Sequence, residues 1–310
     1  MIDHTFVIRT CSLEDFERFT QFEAKVNAYE RTSISSSPHS LIETLGLPNH
    51  HPEENLFIAE KAGRIIGYMD VMPEKIISRA VLSCFLCRGS NEWNLFKSLV
   101  ERALTRAKEL RLNRVHVNIS RENVKARSLF SEVGFCFVRR FIELKLDLSE
   151  AYLPDLSSIP FRLDTLKRGE EEKLTRIQNR SFSGTWGYNP NTNEEVIYRT
   201  RLMHRSPADI ILAYDKDKPI GYCWTRVFKG ECNAEARTVG RIYMLGVDPD
   251  HRGKGVGSAV LAAGLSLLRQ RGVDIVQLTV DSDNGAALAL YSAAGFEVWK
   301  TSLWYEKVLD

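Results

Sequence analysis

Residues 241–272 read RIYMLGVDPDHRGKGVGSAVLAAGLSLLRQRG, and the division of this stretch decides the fold. Arg241–Val247 is an apolar run of strand length. Asp248-Pro249-Asp250 is turn chemistry, because proline fixes φ and removes a ladder donor. After three alternating glycines, Val256, Val260, Gly264 and Leu267 fall on one face of a helix. Gly272 stops that helix behind Arg269 and Arg271, cations suited to its negative end. The glycines therefore lie between the end of a strand and the start of a helix.

That position favours an anion. The first turn of a helix carries unpaired N–H groups and a partial positive charge. Gly253, Gly255 and Gly257 keep side chains away from those groups and accept the positive φ that a nest requires. Arg252 and Lys254 bring full charges to the rim, Val256 adds its amide, and Ser258 adds a hydroxyl in the first turn. A diphosphate suits such a cradle. The phosphate loop G-x-x-x-x-G-K-[ST] is excluded, since Asp248 stands five before Gly253 and Val256 follows Gly255. The fingerprint G-x-G-x-x-G is excluded by the two-and-two spacing.

Working outward, the chain repeats itself. NVKARSLFSEVGF (123–135) echoes NGAALALYSAAGF (284–296) at an offset of 161 residues. Upstream of each echo lies a period-two strand, Val115, Val117, Ile119 and then Val276, Leu278, Val280. A hairpin, LFIAEKAGRIIGYMDV (56–71), matches IILAYDKDKPIGYCWTRV (210–227) on Gly67-Tyr68 and Gly221-Tyr222, at an offset of 154. The seven surplus residues fall in FKGECNAEARTVG, a polar loop. Each half reads strand, helices, hairpin, strand, helix, strand, helix, strand. This predicts α/β architecture with a mixed, mostly antiparallel sheet flanked by helices, made twice. LSEAYLPDLSSIP (148–160), with its prolines and serines, predicts a linker between domains 1–148 and 160–310.

Composition narrows the class. The 310 residues carry 42 basic and 40 acidic side chains, so no charge excess points to nucleic acid or a membrane surface. No apolar run reaches the ~18 residues of a spanning helix, and Met1–Arg9 lacks the build of a signal peptide, so a cytoplasmic protein is expected. Six cysteines are too sparse for a disulfide scaffold. Cys84 and Cys87 have the spacing of half a zinc site, but no second pair follows, and their run VLSCFLC predicts a buried strand. No metal is expected.

Strand, V-x-P-x-x-R-G-x-G-x-G, then helix resembles the acetyl-coenzyme A site of the GNAT superfamily of N-acetyltransferases. Its core [RQ]-x-x-G-x-[GA] is met by Arg252, Gly255 and Gly257, and the element order of residues 160–310 is similar throughout. The resemblance implies two tandem GNAT-like domains with acetyl-CoA as cosubstrate and no metal. It implies that the backbone of Leu245 and Val247 holds the pantetheine arm and thioester, and that the amides of 253–258 cradle the pyrophosphate. Asn284 would contact the pantetheine. Tyr291 stands where members place a tyrosine that protonates the departing thiolate, a role that a phenol of pKa ~10 can fill; packing of helix on sheet is its other reading. No glutamate lies on the strand before the loop. Tyr243, Asp281, Glu235 and water remain open as the general base.

The first half lacks this chemistry. At the offset of 161, Arg252, Gly255 and Gly257 correspond to Asn91, Asn94 and Phe96, and Tyr291 to Phe130. Arg88-Gly89 is a remnant at most. The duplicated plan resembles two-domain acetyltransferases of the mycothiol synthase type, with domain 1–148 degenerate and domain 160–310 catalytic. The expected partner is a primary amine of a small molecule or peptide. NRSFSGTWGYNPNTNEE (179–195) is either the acceptor wall or a plain loop. The rival reading is a CoA- or acyl-CoA-binding sensor, or an interaction protein, without turnover.

Overall fold

Gly67-Tyr68 and Gly221-Tyr222, the anchors of the matched hairpins, occupy equivalent places in the two halves of the chain. In a computed structural model, residues 6–19, 22, 41–87, 92–151, 153–157, 159–202, 206–232 and 237–310 are described. Asn91, Arg88-Gly89 and Glu235 lie outside these residues. The first half supplies β1 (Val7–Thr10), β2 (Leu56–Lys61), β3 (Arg64–Glu74), β4 (Arg79–Leu86), α1 (Glu92–Glu109), β5 (Arg114–Ser120), α2 (Val124–Glu132) and β6 (Cys136–Asp147). The second supplies β7 (Arg162–Thr165), α3 (Glu171–Phe182), α4 (Asn193–Arg201), β8 (Ile210–Asp215), β9 (Lys218–Cys232) and β10 (Thr238–Val247). It continues with α5 (Val256–Gln270), β11 (Ile275–Asp281), α6 (Gly285–Ala293) and β12 (Glu297–Val308).

The repeat is exact to the register of the hairpins. Ala59 pairs with Gly67 and Ile58 with Tyr68, as Ala213 pairs with Gly221 and Leu212 with Tyr222. Each hairpin even slips register at the same place, after Ala59 and after Ala213. The echoed helices begin alike, because Asn123 and Asn284 each accept a hydrogen bond from the amide three residues on, at 3.1 Å.

Two units result, Met1–Arg140 with Thr301–Asp310, and Phe141–Lys300. They depart from the ranges 1–148 and 160–310 by one strand each, for a pairing reason. Ser302–Val308 of β12 runs antiparallel to β5, and Phe141–Asp147 of β6 runs antiparallel to β11. The first unit's sheet is thus β1-β2-β3-β4-β5 with β12, and the second's is β7-β8-β9-β10-β11 with β6. In each, only the pair before the last is parallel, β4 with β5 and β10 with β11.

Both units cover both faces of their sheets. In the second, α5 and α6 pack Val256, Val260, Leu265, Leu268 and Tyr291 on one face, and α3 and α4 pack Leu174, Ile177 and Val196 on the other. A Cβ on Gly264 would stand 2.5 Å from the Cys223 sulfur and one on Gly221 2.6 Å from Val256. Bare backbone at these two positions lets α5 seat directly on β9. Cys84 is buried in the first unit's core, as its apolar run predicts.

Candidate active site

The second unit's sheet opens at the glycine loop. β10 pairs with β11 only over Val239–Arg241 against Ile275–Gln277. Beyond Arg241 it stays laddered to β9, with Leu245 opposite Cys223 and Val247 opposite Gly221. A register shift between Ile242 and Met244 makes Tyr243 a bulge. The strand parts from its parallel neighbour where Leu245 and Val247 stand.

The loop follows at once. Asp248 caps a single 3-10 turn, Pro249–His251, and Gly255 is the N-cap of α5. Gly253 and Gly255 take φ of +73° and +79°, and a Cβ on either would meet nothing within 4 Å. Gly255 brings no side chain to cap the helix, so no side chain covers its first-turn amides. Gly257 differs: its φ is ordinary, and an added Cβ would lie 3.5 Å from both Leu290 and Val247. It marks where the start of α5, the end of β10 and α6 converge. Positive-φ backbone, a helix N-terminus and free space fit a diphosphate.

The basic side chains are tethered as well as exposed. Arg252 donates to the carbonyls of Ser181 (2.7 Å) and Val247 (3.4 Å), and Lys254 donates to the carbonyl of Asp250 (3.0 Å). Ser258 is exposed in the first turn and Val256 is buried in the core. Asn284 commits its carboxamide oxygen to capping α6, as Asn123 does in the other half, so only its NH2 side is left for a ligand.

Tyr291 lies in the same apolar cluster as Val256, with Leu245, Val247 and Leu290 packed against it. Its ring meets Phe296 edge-on at 5.8 Å. Burial pushes its phenol well above the ordinary range, so it stays a proton donor at neutral pH. Tyr243 is on the opposite face, with Trp224 edge-on at 5.0 Å and the Arg226 guanidinium 3.2 Å above its ring. Asp281 ends β11 and accepts from the Asp283 amide at 3.0 Å. The geometry thus gathers the glycine loop, Leu245, Val247 and Tyr291, and leaves Tyr243 across the sheet.

In the sequence Asp248 reads only as a turn residue. Its carboxylate is buried and receives Arg180 at 2.8 and 3.1 Å, with Lys218 at 3.6 Å and His251 at 3.7 Å. Hydrogen bonds from Arg180, outweighing burial, hold it well below the usual carboxylate range. The stretch 179–195 is a hydrogen-bonded network. Asn179 accepts from the Tyr188 hydroxyl (2.8 Å) and the Asn191 amide (2.9 Å), and Arg199 donates to Asn191 (2.6 Å). Burial lifts the Tyr188 phenol to about 12. The density of Asn and aromatic residues is the one signal in the sequence; the partners lie too far along the chain for spacing to reveal them.

The first unit fills the corresponding space. Phe96 and Phe130 are fully buried and meet edge-to-face at 4.9 Å, where the second unit has Gly257 and Tyr291. Phe135 adds a further edge contact to Phe130 at 5.1 Å.

Known proteins resemble the chain in sequence and in fold. Residues 172–296 match the acetyltransferase (GNAT) family. A mycothiol acetyltransferase from Kocuria rhizophila is 33% identical over 187 residues, covering 58% of this chain and 61% of the relative. One from Rhodococcus jostii is 26% identical over 259 residues, covering 79% and 80%. The alignments with the first three such relatives span half to about three-fifths of their lengths. Among solved structures, a GCN5-related N-acetyltransferase from Sphaerobacter thermophilus superposes with TM-score 0.71 at 19% identity, over 99% of this chain and 97% of that one. A tandem GNAT protein from the clavulanic acid biosynthesis pathway gives 0.73 at 14%, over 98% of each. The family match covers residues 172–296, and over nearly its whole length the chain shares its fold with these GCN5-related and tandem GNAT structures.

Proposed function

We propose that the chain is an acetyl-CoA-dependent N-acetyltransferase with its chemistry in the second unit. The observation that carries this is the convergence of the bare helix start, the splayed end of β10 and Tyr291. The amides of 253–258 hold the pyrophosphate, and the backbone of Leu245 and Val247 aligns the pantetheine and thioester. The acceptor amine attacks the thioester carbonyl directly, through a tetrahedral intermediate. Alignment supplies much of the rate, because fixing both reactants removes the entropy cost of their meeting. As the intermediate collapses, the buried Tyr291 phenol returns a proton to the thiolate. The proton lost by the amine leaves through water or one of the open candidates.

The acceptor is a primary amine of a small molecule or peptide. The relatives' shared name, mycothiol acetyltransferase, puts mycothiol-type acceptors first in a panel. The near balance of charge supports neither nucleic acid nor membrane as partner, and no described helix is long and apolar enough to cross a membrane. One feature favours a second reading: Ile242–Val247 offers no carboxylate base, as expected of a CoA-binding sensor without turnover. Acetyl-CoA is incubated with an amine panel while CoA thiol and acceptor mass are followed. An acceptor gain of ~42 Da with stoichiometric thiol supports the enzyme; tight CoA binding without thiol release across the panel supports the sensor.

A further inference from the structure

Four consecutive residues at the end of α3 reach four places. Gln178 donates to the Met244 sulfur (3.6 Å) beside the bulge in β10, and accepts from the Asn191 carboxamide (3.3 Å). Asn179 accepts from the Tyr188 hydroxyl and the Asn191 amide, and donates to the Asn191 carbonyl at 3.0 Å. Arg180 grips Asp248 with two hydrogen bonds and reaches Asp250 at 3.0 Å. The carbonyl of Ser181 takes Arg252 at 2.7 Å.

The last two contacts are reciprocal. An arginine of the helix holds a carboxylate of the glycine loop, and an arginine of the loop holds a carbonyl of the helix. Both are charge-assisted, and the Arg180–Asp248 pair is bidentate, which fixes orientation as well as distance. Successive residues of a helix are separated by a rise of only ~1.5 Å. Whatever steadies the loop at Asp248 and Arg252 therefore steadies Asn179 beside it. Asn179 in turn holds Tyr188 and Asn191.

We infer that Arg180 and Asp248 are positioning residues that couple occupancy of the glycine loop to the order of the 184–192 segment, so that CoA binding sets the acceptor wall. The inference rests on the cofactor reading above. Its physical basis is that a ligand which immobilises one segment spares a second ligand part of the entropy cost of ordering a connected one. The Arg180 side chain is half exposed, at 51%, so replacing it leaves the core intact.

The test is hydrogen exchange with free CoA as the probe. In the wild type, saturating CoA should slow exchange over 252–258 and also over 184–192, the latter by about fivefold or more, the lower end of ordinary coupling between sites. In Arg180→Gln, CoA at saturation should still protect 252–258 while the added protection of 184–192 disappears. Arg180→Lys, which keeps charge but loses the fork, should restore part of it. A residue that merely stabilised the fold would change exchange with and without CoA alike. Protection confined to 252–258 in the wild type overturns the coupling and leaves the cofactor reading standing. So does protection of 184–192 that survives in Arg180→Gln. No protection of either segment overturns the cofactor reading, and the coupling with it.

Discussion

Burial raises the pKa of both residues that matter most, and only one of them has partners that offset it. At Tyr291 nothing offsets desolvation, and the phenol is kept protonated. At Asp248 the hydrogen bonds from Arg180 outweigh desolvation, and the carboxylate is kept ionised. Tyr291→Phe removes one oxygen and leaves a ring that the scaffold already accepts at Phe130. Loss of a general acid typically costs ~10²–10⁴ in rate, so kcat should fall by that much with acetyl-CoA affinity little changed. Because its pKa is raised, Tyr291 should also place no alkaline limb on kcat below about pH 10. Normal turnover in a folded Tyr291→Phe protein would transfer the acid's role to water. For Asp248→Asn, leaving a hydrogen-bonded ionic partner unmatched costs about 1–3 kcal/mol, with the lower end favoured by Arg180's exposure. The sign with pH follows from the lowered folded value. Asp248 stabilises fully above the ordinary carboxylate pKa of ~3.9, and that contribution is lost as pH falls through its lower folded value. The melting gap between wild type and Asp248→Asn should hold steady from about pH 5 to 8 and begin to close only below about pH 4. A gap indifferent to pH would show that packing, and not charge, is what the substitution removed.

At the scale of elements, the start of α5 is where local sequence says most. Alternating glycines after a strand and before an amphipathic helix are read from neighbours alone, and the structure gives two of them positive φ. Arg180 and Asp248 are 68 residues apart, and no periodicity links them. Asn284 shows the opposite difficulty, since its echo in Asn123 is accounted for by helix capping in both halves. The glycines can be separated by experiment. Gly255→Val places a β-branched residue at φ +79°, in the space where the phosphates are expected. Acetyl-CoA should bind at least tenfold more weakly, about 1.4 kcal/mol, at a modest cost in stability from backbone strain. Gly257→Ala meets only ordinary contacts at 3.5 Å and removes a glycine from a helix. It should fold at least as well and keep its affinity. The same calorimetric titration should give one acetyl-CoA per chain, because Phe96 and Phe130 fill the first unit's counterpart. Two equivalent sites would show that the first unit's counterpart also binds, and unchanged affinity in Gly255→Val would remove the glycine loop from the binding site.

Over the whole molecule, the repeat was legible and the final strands were not. β6 and β12 are both twelve-residue strands that pair antiparallel, and nothing in their sequence pattern says which unit each completes. The prolines of 148–160 mark an irregular stretch, but β6 ends just before it, with Phe141–Asp147 paired to β11. A break at that linker therefore strips a strand from the second unit. It also removes Leu144, Leu146 and Leu148 from that unit's core, where they are 4%, 5% and 0% exposed. Burying such side chains contributes about 1.5–3 kcal/mol each, together comparable with the ~5–15 kcal/mol net stability of a domain. Fragment 160–310, which the sequence alone would recommend, should thus fail to fold cooperatively or to bind acetyl-CoA. Fragment 141–300 keeps all six strands of its sheet and should do both. Circular dichroism melts and titration of the two fragments decide the matter. A cooperative, CoA-binding 160–310 would show that the second unit is complete without β6.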